Sequence, residues 1–317
     1  MGKNTGINKA TDNSFKVIFG EPVLFVQFIR DFIDIDLLKG IEASDIEDVT
    51  ERFLPLFEEG KDSDTVKKIN IQGDLPLFVI AILEAESHVN FRASFKMLQY
   101  ITLVLDNYEK ESEKVRKGAS RRKGFRYPPI LPIVYYDGAG KWTAETNFFD
   151  KTELNQAFGK YIPKFEYEVI NLNTYSREDL MSFADAMSLI LLVDKCAKGS
   201  DFRMLSELPD EYFERLELNI PANLAKLLSD ATRTLLTGVN VPKDEIDQFS
   251  DKIYEREVPK MFEPLKKYDV QETRRIARAE GKAEGKEDSA RSMKADGVDI
   301  AFIAKYTGLS VAEIEAL

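Results

Sequence analysis

The sequence predicts an α/β fold: a central mixed sheet flanked by helices, followed by a helical C-terminal region. Three patterns carry that reading. Leu77–Glu86 is apolar on both alternating faces until its last residues, as expected of a central strand covered on both sides. A second apolar run, Ile130–Tyr136, lies beyond a long amphipathic segment, Phe91–Ser112, so strand and helix alternate. From Arg177 onward the apolar spacing is helical.

The elements follow in order. Asn13 suits the N-cap of a short helix at Ser14–Phe19, and Pro22 suits the first turn of a second at Pro22–Phe32. Phe25, Phe28, Ile29 and Phe32 recur at helical spacing and should bury one face. Thr65–Ile71 reads as a strand, Gln72-Gly73-Asp74 as a turn, and Leu77–Glu86 as the next strand. In that strand Phe78, Ile80, Ile82, Glu84 and Glu86 share one face. The helix Phe91–Ser112 is expected to bury Phe91, Phe95, Leu98, Ile101, Thr102, Leu105 and Tyr108. Ile130–Tyr136 and Phe165–Leu172 complete the α/β core near Asn173, and helices are expected at Glu178–Lys195, Pro221–Leu236 and Lys243–Tyr268. The organisation is then an α/β domain over 1–175, a helical region over 176–270 and a tail over 271–317. In that tail Ala279-Glu280-Gly281-Lys282 repeats at once as Ala283-Glu284-Gly285-Lys286. Each interior glycine costs a helix about 1 kcal/mol relative to alanine, so a linker is expected there, the alternative being a helix that Gly281 and Gly285, one turn apart, open to close contact.

Composition removes several classes of function. The 317 residues favour two domains. No N-terminal segment has signal-peptide order, and the longest apolar stretch, Leu75–Leu83, is too short to span a bilayer. A cytoplasmic protein with no membrane partner is expected. Cys196 is the single cysteine, which excludes an internal disulfide and a Cys-rich zinc cluster. His88 is the single histidine and has no marked nucleophile or second ligand to work with. Any chemistry must therefore come from carboxylates, lysines and a bound metal. The net charge of −11 argues against a wholly basic nucleic-acid binder while leaving room for a local basic groove.

Glu84 and Glu86 are the residues most suited to that chemistry. Two apart on a strand, they leave one face roughly 6.6 Å from each other, directly out of an apolar run. A hard divalent cation is a natural partner for such oxygens, and one or two ions can activate water for phosphodiester hydrolysis. Acidic residues where a strand meets solvent are the plainer explanation.

The order of motifs adds to this. Ser14-Phe15-Lys16-Val17-Ile18-Phe19 is followed by Ser63-Asp64-Thr65-Val66-Lys67-Lys68-Ile69, by Leu83-Glu84-Ala85-Glu86-Ser87, and by Phe91 to Tyr100. Pro128 to Gly138 and Trp142 complete the set. In order and spacing these resemble the Rpn family of recombination-promoting nucleases and putative transposases, within the PD-(D/E)XK superfamily; the stretch Gly297–Leu317 is similar to a helical tail in that group. The resemblance implies a restriction-endonuclease-like core and a metal-dependent DNA endonuclease linked to recombination or mobile elements, using Mg²⁺ with Mn²⁺ as a substitute. It gives Asp64 and Glu84 the catalytic metal-binding roles and makes the Ala85 carbonyl a further ligand. Glu51, Glu58 and Glu59 compete for an upstream acid. Glu86 stands where the group has Lys or Gln, and a carboxylate supplies neither positive charge nor amide donor to the transition state. Gln99 is a substitute donor or an ordinary solvated helix residue. The rival readings are a nuclease fold with weakened catalysis that serves as a DNA-binding or protein-interaction module, and a metal-dependent hydrolase acting on RNA.

The segment Lys110–Arg126 is the local basic excess, with Lys117, Arg121, Arg122, Lys123 and Arg126 as candidate DNA contacts. Asp137-Gly138-Ala139-Gly140-Lys141 lacks the full phosphate-loop spacing and reads as a hairpin turn. Ile300–Tyr306 and Val311–Leu317 form a terminal helical hairpin whose second helix has no Arg or Lys. It suits packing, or association of copies through the C-terminal helices, better than a major groove.

Overall fold

A strand that is apolar on both faces must be covered on both, and the computed structural model shows what covers this one. Residues 15–52, 64–71, 75–84, 89–138, 140–196, 201, 202, 205, 208–237, 241–257, 289–294, 298–310 and 314 are described. The chain divides into two compact units, Met1–Met261 and Phe262–Leu317.

In the first unit five strands form one sheet in chain order: β1 Ile46–Asp48, β2 Thr65–Ile71, β3 Leu75–Glu84, β4 Ile130–Tyr136 and β5 Glu168–Asn171. β1, β2 and β3 pair antiparallel, while β3, β4 and β5 pair parallel. The sheet is therefore mixed, with β3 at its centre. β1 has no counterpart in the sequence reading, because three residues are too few for alternation to show. The β4–β5 pairing corrects another expectation. Parallel strands cannot be joined by a hairpin, so residues 137–167 form a crossover. Gly138 serves a close approach there: a Cβ at this position would overlap the Tyr136 side chain.

On one face of the sheet lies helix α3, Ala93–Val115, after α1 (15–20) and α2 (Pro22–Phe32). Val66, Phe78, Ile80, Val134 and Tyr136 pack against Ala93, Met97, Tyr100 and Val104 of α3. The expected apolar stripe is thus rotated. Phe91 and Phe95 are 57% and 43% exposed, and the row holding Ala93 and Ser94 faces the sheet. The small side chains of that row let the helix backbone approach the strands, whereas the phenylalanines would hold it off. On the other face Phe15, Phe19 and Phe28 surround Tyr135 at ring-centroid distances of 5.0, 6.1 and 6.1 Å. Burial of each such ring contributes roughly 1.5–3 kcal/mol.

Four-residue α4 (Asn155–Phe158) lies in the crossover, and α5 (Arg177–Phe183), α6 (Ala186–Asp194), α7 (Asp210–Asn219), α8 (Ala225–Thr237) and α9 (Lys243–Tyr254) follow the sheet. The single helix expected at Glu178–Lys195 is two. Ala184 adopts φ 50°, and Asp185 starts α6 by accepting a hydrogen bond from the Ser188 amide at 2.9 Å. An N-cap aspartate offers its carboxylate to orphan amides, which outweighs continued helical spacing. α9 stops at Tyr254, short of the expected Tyr268, and Arg256 has φ 61°. The thiol of Cys196 is buried, which pushes it up to about 12. Among the described residues no helix is long and apolar enough to cross a membrane.

In the second unit α10, Ile300–Thr307, shares a small core with Ala290 and Ile314 through Ile303. Lys294 donates to the Ile314 carbonyl at 2.9 Å. The Ala-Glu-Gly-Lys repeat lies outside the described residues.

The α2–α6 junction has a pH-sensitive pair. Arg30 reaches Asp31 at 3.4 Å and Asp185 at 3.2 Å. Burial, then the Asp185 charge, pushes the Asp31 carboxyl up to about 8. The folded chain therefore keeps a proton that the unfolded chain releases near pH 4, so stability falls as pH rises from about 4 through 8. Asp194, raised by burial to about 6, acts with the same sign over a lower range. Asp31→Asn should flatten the decline above pH 6, as followed by urea midpoints across pH. Parallel pH profiles for wild type and variant would refute the assignment.

Candidate functional site

Asp64 immediately precedes β2, and its residue is only 2% exposed. Its Oδ2 accepts a hydrogen bond from the Tyr100 hydroxyl at 2.8 Å and pairs with the Lys96 ammonium at 2.6 Å. Both partners come from α3, one helical turn apart, and the Lys96 ammonium lies 5.6 Å from the Tyr100 ring centroid. A carboxylate buried without partners would cost several kcal/mol, so this cation and hydroxyl permit its position.

The sheet register brings the second acid close. Thr65 pairs with Ala81, so Asp64 continues the strand beside position 82. Glu84 pairs with Tyr136 at the end of β3. By backbone alternation position 84 belongs to the row of 78 and 80, the row that meets α3. Asp64 and Glu84 thus occupy the same end of adjacent strands as diagonal neighbours, roughly 7–8 Å apart along the backbone.

The opposite face of β2 fixes that end. Lys67 is 1% exposed and paired with Asp48, and burial pushes its amino group down. Asp48 accepts from the Thr50 amide at 2.9 Å and hydroxyl at 2.6 Å. The Thr50 hydroxyl in turn lies 2.9 Å from that of Thr65 and accepts from the Val66 amide at 3.0 Å. Asp64 therefore leaves a pinned strand.

The other residues singled out by sequence fall elsewhere. Ala85, Glu86, Glu58, Glu59 and His88 lie outside the described residues. Glu51 is exposed in a short 3₁₀ turn. Gln99 is exposed on α3, and the side chains that reach Asp64 are Lys96 and Tyr100 instead. These two are what the sequence reading missed. Their i, i+4 spacing on the row of Met97 was the available signal, hidden by the more conspicuous phenylalanine row.

Lys117, Arg121, Arg122, Lys123 and Arg126 are all exposed in the turns beyond α3. The segment is built on Glu113, whose carboxylate accepts from the Gly118 amide at 2.7 Å, and from the Ser120 amide and hydroxyl at 2.9 and 2.7 Å. It lies at the far end of α3. From Tyr100 to Val115 that helix runs roughly 22 Å at about 1.5 Å per residue. Acids and bases predicted to act together are thus separated by the length of a helix. Among the described residues no group of three or more His, Cys, Asp or Glu side chains is placed to hold a metal ion.

A family model described as "Putative transposase, YhgA-like" matches residues 9–220, more than half of the chain. The chain belongs to that family. The match takes in the whole sheet and ends beyond α7, so the tail Gly297–Leu317 lies outside it. No curated protein and no solved structure matches the chain.

Replacing Lys96 with Met would leave the Asp64 carboxylate buried with its tyrosine but without its cation. Without divalent ions, Lys96→Met should lower the unfolding free energy by about 3 kcal/mol. Adding Asp64→Asn should recover most of the loss, because no charge then remains to be compensated. Additive effects in this double-mutant cycle would mean that the pair carries no coupling.

Proposed function

We propose that this member of the YhgA-like family is a metal-dependent DNA endonuclease built on a PD-(D/E)XK core, acting in the movement or recombination of DNA. The observation that carries the reading is the placement of Asp64 and Glu84 at one end of adjacent central strands, with the Lys96 ammonium at 2.6 Å from Asp64. The family's description as a transposase supports DNA as the substrate.

The donor chemistry fits a hard divalent ion. A carboxylate aimed into a low-dielectric interior and held by a lysine and a tyrosine is an oxygen donor whose charge already needs a cation. Asp64 and Glu84 would hold Mg²⁺, with Mn²⁺ as its substitute, and the Ala85 carbonyl is the further ligand in this reading. When bound, the ion would supply an activated water and neutralise charge on the leaving oxygen. The chain's own groups do the rest. Tyr100 holds the Asp64 carboxylate in one orientation. Lys96 provides the positive charge that Glu86 cannot offer, within a side chain's reach of a phosphate at this end of the sheet. The turns at 116–126 grip the backbone farther along the DNA.

A second reading is favoured by the same contact. Asp64 has a cation in Lys96 without any metal, as expected of a nuclease fold that binds DNA or a protein and no longer cuts.

Supercoiled plasmid incubated with Mg²⁺ or Mn²⁺, and with EDTA as control, tests both. Metal-dependent nicking should be abolished by Asp64→Ala and by Glu84→Ala. The rise in thermal midpoint on adding Mn²⁺ should vanish with it. Lys96→Met should lose on the order of 10²-fold in cleavage while keeping that thermal rise. Intact plasmid in every lane, with no thermal shift, would leave the binding-module reading standing.

Neutralising Arg121, Arg122 and Lys123 together should weaken binding to all duplex sequences alike. Each lost phosphate contact should reduce the slope of log affinity against log salt by about 0.9. An unchanged slope would mean that these side chains are simply solvated.

A further inference from the structure

Between β4 and β5 the crossover lays aromatic rings on the surface. Tyr161 is 71% exposed and Phe158 52%. At the start of α3, Phe91 and Phe95 are exposed as well, and the two groups adjoin. The Phe95 and Phe148 ring centroids are 6.4 Å apart, and the Lys151 ammonium lies 5.9 Å from the Phe91 centroid. Lys160 covers Tyr161 at 4.8 Å and Lys164 covers Phe149 at 5.0 Å. Three crossover lysines therefore stand over rings. Beside them is a cleft of about 350 Å³ lined by Asn147, Phe149, Lys164, Phe165 and Glu166. Asp150, the acid next to Lys151, accepts a hydrogen bond from the Asn147 side-chain amide at 2.6 Å, and Glu145, Glu153 and Glu166 of the same segment are exposed, so the lysines act by their placement beside rings and not through an excess of positive charge. Phe95 immediately precedes Lys96, so the surface adjoins the Asp64 end of the sheet.

The chemistry of these groups selects among occupants. The centre of a protein interface is depleted of charge, and of lysine in particular. A duplex buries its base faces in its own stack. A single strand presents flat π faces and an anion at every step, which matches rings with ammonium groups beside them. We infer that Phe91, Phe95, Phe149 and Tyr161, with Lys160 and Lys164, form a surface that binds single-stranded DNA by stacking and backbone neutralisation. The inference deepens the nuclease reading by naming unpaired DNA as the form of substrate, and it rests on that reading only for its purpose.

The test is fluorescence anisotropy of the full chain in EDTA, with a labelled oligodeoxythymidine, an oligouridine and a duplex of the same length. The oligodeoxythymidine should bind most tightly. Tyr161→Ala, a truncation of an exposed side chain that spares the core, should weaken single-strand binding about ten-fold and leave duplex binding nearly unchanged. Lys164→Gln should lower the single-strand salt slope by roughly 0.7. Equal or tighter binding of duplex, or unchanged single-strand affinity in Tyr161→Ala, would overturn the proposal. Tighter binding of oligouridine would assign the surface to RNA and overturn it too. So would a concentration-dependent dimer that Tyr161→Ala dissolves while single-strand binding stays the same. No cleavage enters these measurements, so a plasmid that stays intact removes the nuclease reading alone, and a failed anisotropy series removes the stacking surface alone.

Discussion

Asp64 lies in a protein interior where an unpartnered charge is costly, and the pairing with Lys96 and Tyr100 is what lets it stay. That contact also joins the head of β2 to α3. Because β3 and β4 are parallel, the helix between them must run back along the sheet, and its rotation decides which side chains meet the strands. A buried ion pair at its first turns selects one rotation from the two apolar rows that α3 offers. Met97 and Val104 then follow Tyr100 into the core, and Phe91 and Phe95 remain outside.

The same helix separates the cations of an acidic chain. Several lysines are paired internally: Lys67 with Asp48, Lys68 with Glu47, Lys96 with Asp64. Exposed positive charge gathers beyond the C-terminal end of α3, in the Glu113-centred turns, while the crossover near its N-terminal end sets Lys160 and Lys164 beside rings. On the nuclease reading, duplex DNA rising about 3.4 Å per base pair would cover the roughly 33 Å span of α3 in about ten base pairs. A net charge of −11 then disfavours DNA over most of the surface while leaving a foothold in the basic turns.

Much of this frame is legible in the sequence, because the signals were long. The nine apolar residues that open β3, the seven residues of β4, and Pro22 opening α2 each left a pattern that tertiary structure had no reason to override. Asp64 and Glu84 were singled out by the order of motifs, and the register puts these two positions at the same end of adjacent strands. What failed to show depended on contacts distant in sequence. Lys96 and Tyr100 look like ordinary helix residues until α3 is laid on the sheet, 36 positions from Asp64 in the case of Tyr100. The break at Ala184 is decided by Asp185, which answers both to Ser188 beside it and to Arg30 on α2. Three-residue β1 exists because β2 offers it an edge.

On the nuclease reading, the departure at Glu86 changes meaning once Lys96 is placed beside Asp64. A phosphoryl-transfer site needs positive charge at a position in space, and a helix facing the strand can supply it as well as the strand itself. Lys96 cannot, however, neutralise Asp64 and a phosphate at once. On that reading, a divalent ion held by Asp64 and Glu84 would take over the charge of Asp64 and release the ammonium for other work. On the nuclease reading, metal affinity and the availability of Lys96 are therefore one equilibrium. The closed pair would be a resting arrangement that protects a buried carboxylate until the ion arrives.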